Sequence, residues 1–274
     1  MHEILTNPAF QSGIIPFGVT LIAGILLNRL GWYWTGLALM AGFVVSVNLT
    51  VGFQFLPWTS VRKILALGFV AVGLGLILDI YPWRRRWLPA LLFGLTATAV
   101  LWVIWPALQR REGVDMWLLG IGSVVYCGWC VAGMESLRSK PVPAVSAVVA
   151  LGFGTGTVTL LGASALLGQL SLALGAAASA LSLLVTFIRK TTVGSTALLP
   201  AGVLLGLIGI GGHVYAKVPW YTLAILAFVP VCVRIPLSPQ WPRWLQALIT
   251  LILACATAGI AAWLVWRVAG GIPL

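Results

Sequence analysis

The stretch Pro141–Ile188, PVPAVSAVVALGFGTGTVTLLGASALLGQLSLALGAAASALSLLVTFI, holds 48 residues without one Asp, Glu, Lys or Arg. As a single helix rising about 1.5 Å per residue it would run about 72 Å, more than twice the roughly 30 Å hydrocarbon core of a bilayer. It therefore has to turn back on itself. Two small or polar clusters near its middle, Gly162-Ala163-Ser164 and Gly168-Gln169, suit a turn, so the stretch reads as two consecutive membrane spans.

Working outward, the whole chain has the same character. Of 274 residues, 61% are hydrophobic and 8% charged, with mean hydropathy +1.07, whereas a soluble domain is about 45–50% apolar and about 25% charged. Ten segments are long and apolar enough to span, near residues 13–28, 33–55, 64–81, 87–107, 116–134, 143–163, 168–188, 196–213, 219–234 and 244–266. At about 20 residues per span, roughly 74 residues remain for nine loops and two tails. The expectation is an all-α, polytopic transmembrane bundle over residues 1–274, with no soluble domain. Any site must then be built from the helices and short turns.

Net charge +11 and pI about 10.3 would suggest nucleic acid in a soluble chain, but here the basic residues flank spans. There they set orientation and meet anionic lipid headgroups. With the N-terminus outside, one face holds Arg29, Arg84, Arg85, Arg86, Arg138, Lys140, Arg189, Lys190, Arg234 and Arg243; the other holds Arg62, Lys63, Arg110, Arg111, Lys217 and Arg267. The richer face is assigned to the cytoplasm, which puts both termini on the non-cytoplasmic side. The first twelve residues lack a basic region ahead of the first span, so that span is expected to be retained. Eleven of the 14 Trp fall at span ends, where an amphipathic ring prefers the headgroup level. A bacterial inner membrane is the expected location.

Five spans per half, 1–137 and 138–274, would make the halves oppositely oriented, as in inverted-repeat transporters, although no residue-level repeat joins them. All five acids lie in the first half. In the second, small residues recur at helical spacing: Gly152 and Gly156; Ser171, Gly175 and Ser179; Gly202, Gly206 and Gly209. Small residues let helices approach closely in lipid, so spans 6 to 8 are expected at the centre of the bundle.

Candidate chemistry is sparse. Cys127 and Cys130 form one C-x-x-C whose sulfurs share a helix face; thiol exchange needs a stabilised thiolate, and no cationic side chain lies within a turn, so two buried small hydrophobes are the plainer reading. His2 and His213 are too few for an internal metal or haem site, and no metal or cofactor is expected. His213 suits an interfacial ring bonded to a carbonyl or water. Asp79 is a costly ionisable residue within a span, with Arg84-Arg85-Arg86 close by to pair it; Glu135 has Arg138 at i+3. Asn48 and Gln169 carry amides that need partners, which makes Asn48, Asp79 and Gln169 the candidate solute or ion contacts. Arg84, Arg85 and Arg86, between Trp83 and Trp87, are the candidate contact for lipid headgroups or a partner.

No catalytic set can be assembled from these residues. The leading expectation is a non-catalytic subunit or assembly factor of a membrane complex, with other membrane subunits and lipids as partners. The alternatives are a permease for a neutral or amphiphilic small solute, then a membrane thiol or lipid-linked enzyme.

Overall fold

The computed structural model describes residues 7–31, 34–52, 56–81, 87–188, 191–238 and 240–268. Among the described residues every regular element is helical. Lipid offers no partner to backbone N–H and C=O groups, so spanning segments satisfy them internally. The helices are α1 (Phe10–Leu30), α2 (Thr35–Thr50), α3 (Ser60–Ile80), α4 (Leu88–Leu108), α5 (Gly113–Glu135), α6 (Pro141–Leu161), α7 (Ala165–Phe187), α8 (Ser195–Tyr215), α9 (Trp220–Cys232) and α10 (Arg243–Val268). Eight are long and apolar enough to cross a membrane. The other two, α2 and α9, occupy the positions expected of spans 2 and 9 but are shorter.

Side-chain bonds gather the helix ends into two layers. At one end Thr191 donates to Asn28 (3.4 Å), the last turn of α3 meets the first residues of α8 through Asp79, and Arg234 donates to Ser136 (2.6 Å). At the other, Ser46 donates to the Gln11 carbonyl (2.6 Å), Ser60 to the Tyr215 hydroxyl (3.1 Å), and Tyr215 in turn to the Val103 carbonyl (3.2 Å). The helices tied at these ends alternate in direction, α1 against α2 and α3 against α8.

The uncharged stretch turns back where the first of its two candidate clusters stands. Helix α6 ends at Leu161, Ala163 takes φ 71°, and the N–H groups of Ala163 and Ser164 bond the carbonyls of Leu160 and Thr159. This is the Schellman closure, with Ala where Gly is usual. Gly168 and Gln169 lie inside α7 instead.

Burial puts α6, α7 and α8 at the centre: 67–89% of their most apolar windows is buried, against 22–44% in the other long helices. The contact of α6 with α7 depends on missing side chains. A Cβ on Gly152 would stand 2.5 Å from Gly175 Cα and one on Gly156 2.8 Å from the Leu172 side chain. The same approach lets the buried Ser171 hydroxyl donate across it to the Gly152 carbonyl (2.9 Å). Ser179 instead bonds back to Gly175 of its own helix (2.9 Å).

Candidate functional site

A groove of about 700 Å³ lies between α5, α8 and α9, within the range of small-molecule sites. Its shape follows from where glycine stands on α8. Cβ atoms on Gly202, Gly206 and Gly209 would meet Val131 Cα (3.1 Å), Cys127 Sγ (2.5 Å) and the Tyr126 hydroxyl (3.0 Å), so α8 clamps one face of α5. The neighbouring face of α5 presents Leu118, Gly122, Val125 and Trp129 at spacings of four, three and four, a single helical stripe along the groove. Opposite stand Leu223, Ala224 and Phe228 of α9. A Cβ on Gly122 would have nothing within 4 Å, so this glycine widens the groove where those of α8 close a contact.

The two ends differ chemically. At the inner end α9 breaks: Pro230 has no N–H to give, and Val231 N–H bonds Phe228 rather than Ala227 (2.9 Å). The released Ala227 carbonyl accepts from the Trp129 indole N–H at 2.9 Å, and Pro230 fits beside α5 because Gly133 leaves room, a Cβ there falling 2.9 Å from it. The outer end is lined by Arg111, Asp115 and His213. Asp115 sits in the first turn of α5, where a carboxylate complements the helix dipole. His213 Nδ1 is 2.7 Å from the Val218 carbonyl; a carbonyl only accepts, so Nδ1 carries a proton and donates. Between the ends the Ser123 hydroxyl lines the groove on a residue only 5% exposed. Asp115 and Trp129, 14 residues apart, are separated by about 21 Å along the helix. The groove therefore reaches from a charged rim well into the apolar depth.

Asp79 lies elsewhere, and its surroundings account for it. Its side chain is fully buried, and its oxygens accept the Ser195 N–H (3.0 Å), the Thr196 N–H (2.9 Å) and the Thr196 hydroxyl (2.7 Å). A residue of α3 thus caps α8. Gly194 is required there, since a Cβ would run into the carboxylate. Arg138 closes the site at 2.7 Å from Asp79 Oδ1 and 3.8 Å from Glu135 Oε1, and Glu135 accepts from the Ser195 hydroxyl at 2.6 Å. The expected i+3 partner of Glu135 is in place. The expected partners of Asp79, Arg84–Arg86, lie outside the described residues; among those described, Arg138, 59 positions away, supplies a cation that helix packing rather than chain proximity brings close.

Asn48 is exposed in the last turn of α2, and Gln169 is half-buried near the start of α7. Neither they nor Asp79 line the groove or the second cavity, of about 240 Å³, between α3, α4 and α8. Cys127 and Cys130 are free and buried on the α8-facing side of α5. Arg84, Arg85 and Arg86 fall outside the described residues. Thr96, Thr98 and Thr157 bond back to their own helices, as hydroxyls in spans commonly do. Among the described residues no three of His, Cys, Asp and Glu gather into a set able to hold a metal ion.

Sequence reasoning did not single out Trp129, Ser123, Arg111 or Asp115. One signal was present: Trp129 is among the three Trp that leave the interfacial belt, and a Trp at mid-span needs a partner for its N–H. No protein-family model and no curated protein matches the chain.

Proposed function

We propose that this is a ten-pass membrane protein, with both termini on the non-cytoplasmic side, that takes up an amphiphilic small molecule through the groove between α5, α8 and α9. It works as a binding protein or permease for that molecule, in a bacterial inner membrane. The observation that carries the reading is the groove: apolar along its length, charged at one rim, and of small-molecule size. An amphiphile has that distribution of polarity. A partner helix, the expectation of a complex subunit, would have no use for a recess ending in Arg111 and Asp115. The ten passes are supported by the alternating directions of the tied helices and by α2 and α9 occupying the positions expected of spans 2 and 9.

The test is covalent capture. The chain, in lipid nanodiscs containing a single-chain amphiphile with a photoactivatable tail, is irradiated and digested. Adducts should concentrate on peptides from α5 and α9. Gly122→Leu, whose Cβ enters open space, should lower them about ten-fold while leaving the preparation monodisperse. Adducts spread evenly over the lipid-facing helices and indifferent to that substitution would overturn the reading.

A further inference from the structure

We propose that the molecule admitted to the groove carries a zwitterionic headgroup, its anionic part held by Arg111 and its cationic part by Asp115 and Trp220. The inference rests on the reading of the groove as an amphiphile site and adds the chemistry of its rim.

Arg111 and Asp115 line the same opening. Among the described residues the ion pairs within 4 Å both belong to Arg138, so the opening presents a guanidinium and a carboxylate that are not paired with each other. A purely anionic headgroup would satisfy Arg111 and be repelled by Asp115; a cationic one would meet the reverse. A headgroup with both signs satisfies both. Arg offers planar, bidentate donors suited to a phosphate or carboxylate. Trp220, lining the rim and 69% exposed, offers a ring face that attracts an ammonium group.

Depth supports the same occupant. Ser123, 5% exposed, lines the groove. It lies eight residues below Asp115, about 12 Å along α5. An ester or amide linkage between headgroup and tail would meet its hydroxyl at that depth, with the alkyl chain continuing past Tyr126 to Trp129.

The experiment uses the full chain in nanodiscs of equal parts phosphatidylethanolamine and phosphatidylglycerol, with the photoactivatable acyl chain placed on each lipid in turn. Adducts on α5 should favour the zwitterionic lipid about three-fold, the scale of one exposed ion pair. Arg111→Gln should remove most of that preference, and Asp115→Asn should turn it toward the anionic lipid. Equal labelling in the unsubstituted chain, an anionic preference in it, or a zwitterionic preference unmoved by either substitution overturns the headgroup assignment, provided Gly122→Leu still blocks labelling by both lipids. If Gly122→Leu blocks neither, the groove reading falls as well, and the two failures are told apart.

Discussion

Arg138 Nη2 stands 2.7 Å from Asp79 Oδ1, and the same carboxylate holds the first two N–H groups of α8. A single buried side chain therefore ties α3, the start of α8 and the turn that follows α5 at one end of the bundle. Asp79→Ala would leave those N–H groups and the guanidinium without their acceptor. Loss of a helix cap costs about 0.5–2 kcal/mol, and breaking a buried pair costs more, so a loss of about 2–4 kcal/mol is expected, read as a lower unfolding midpoint in detergent. Arg138→Gln should cost less, about 1 kcal/mol, because the Arg138 side chain is 28% exposed and its pair is partly screened. Equal effects would mean that the ion pair, not the cap, holds the junction.

Gly152 and Gly122 are both helical glycines in apolar surroundings, with opposite predicted responses to alanine. At Gly152 the new methyl would face Gly175 Cα at 2.5 Å, a backbone atom that cannot step aside. Gly152→Ala should separate α6 from α7, break the Ser171 bond to the Gly152 carbonyl, and cost about 1–3 kcal/mol as overpacking does. Gly122→Ala meets nothing within 4 Å and removes a poor helix former, so stability should hold or rise by up to about 1 kcal/mol. Parallel thermal melts of the two variants check the contrast.

These pairs show what a sequence exposes and what it hides. The stripes of small residues were visible because their spacing is a local property of one helix, and a chain of 48 uncharged residues had to contain a turn. Which stripe meets which was hidden: Gly152 faces Gly175, whereas Gly202 and Gly206 face Val131 and Cys127, and no local rule selects those partners. Asp79 is the sharper case. Its nearest basic neighbours in the chain are Arg84–Arg86, yet the described cation is Arg138, brought close because α3 and α5 run the same way against α8. The groove was illegible for the same reason, being formed by faces of three helices and by a break in α9 that matters only because Trp129 lies opposite it.

The alternating directions make a prediction about sidedness. In a chain whose own cysteines are replaced by serine, a membrane-impermeant maleimide should label a Cys at 112 from outside the cell, and at 85 and 190 only after the cytoplasmic face is opened. Position 112 follows Arg111 at the rim of the groove, so its side is also the side to which the proposed function assigns entry of the amphiphile. Labelling of 112 and 190 from one side would remove a crossing from the bundle. The reverse pattern would keep the crossings and invert the charge-based orientation, since basic residues normally concentrate on the cytoplasmic face.

Trp129 lines the groove and also fastens α9, so it bears on the stability of the bundle and, in the proposed function, on the length of the bound chain. Its indole N–H is the partner of the Ala227 carbonyl left free where α9 breaks, and no water is at hand in lipid to replace it. Trp129→Phe keeps a ring but removes the donor, so the cost should be about 1 kcal/mol, the net worth of an ordinary hydrogen bond. Trp129→Ala also removes a ring that lines the groove at the broken end of α9. With the ring in place the run left to the alkyl chain, from Ser123 to Trp129, is about 9 Å along α5, and chains longer than that run must bend or leave. The alanine variant should therefore capture longer-chain amphiphiles than the unsubstituted chain, while the phenylalanine variant keeps the original length preference despite its lower midpoint. If both variants lose stability and neither changes the preferred chain length, Trp129 is only a clasp on α9, and the groove ends elsewhere.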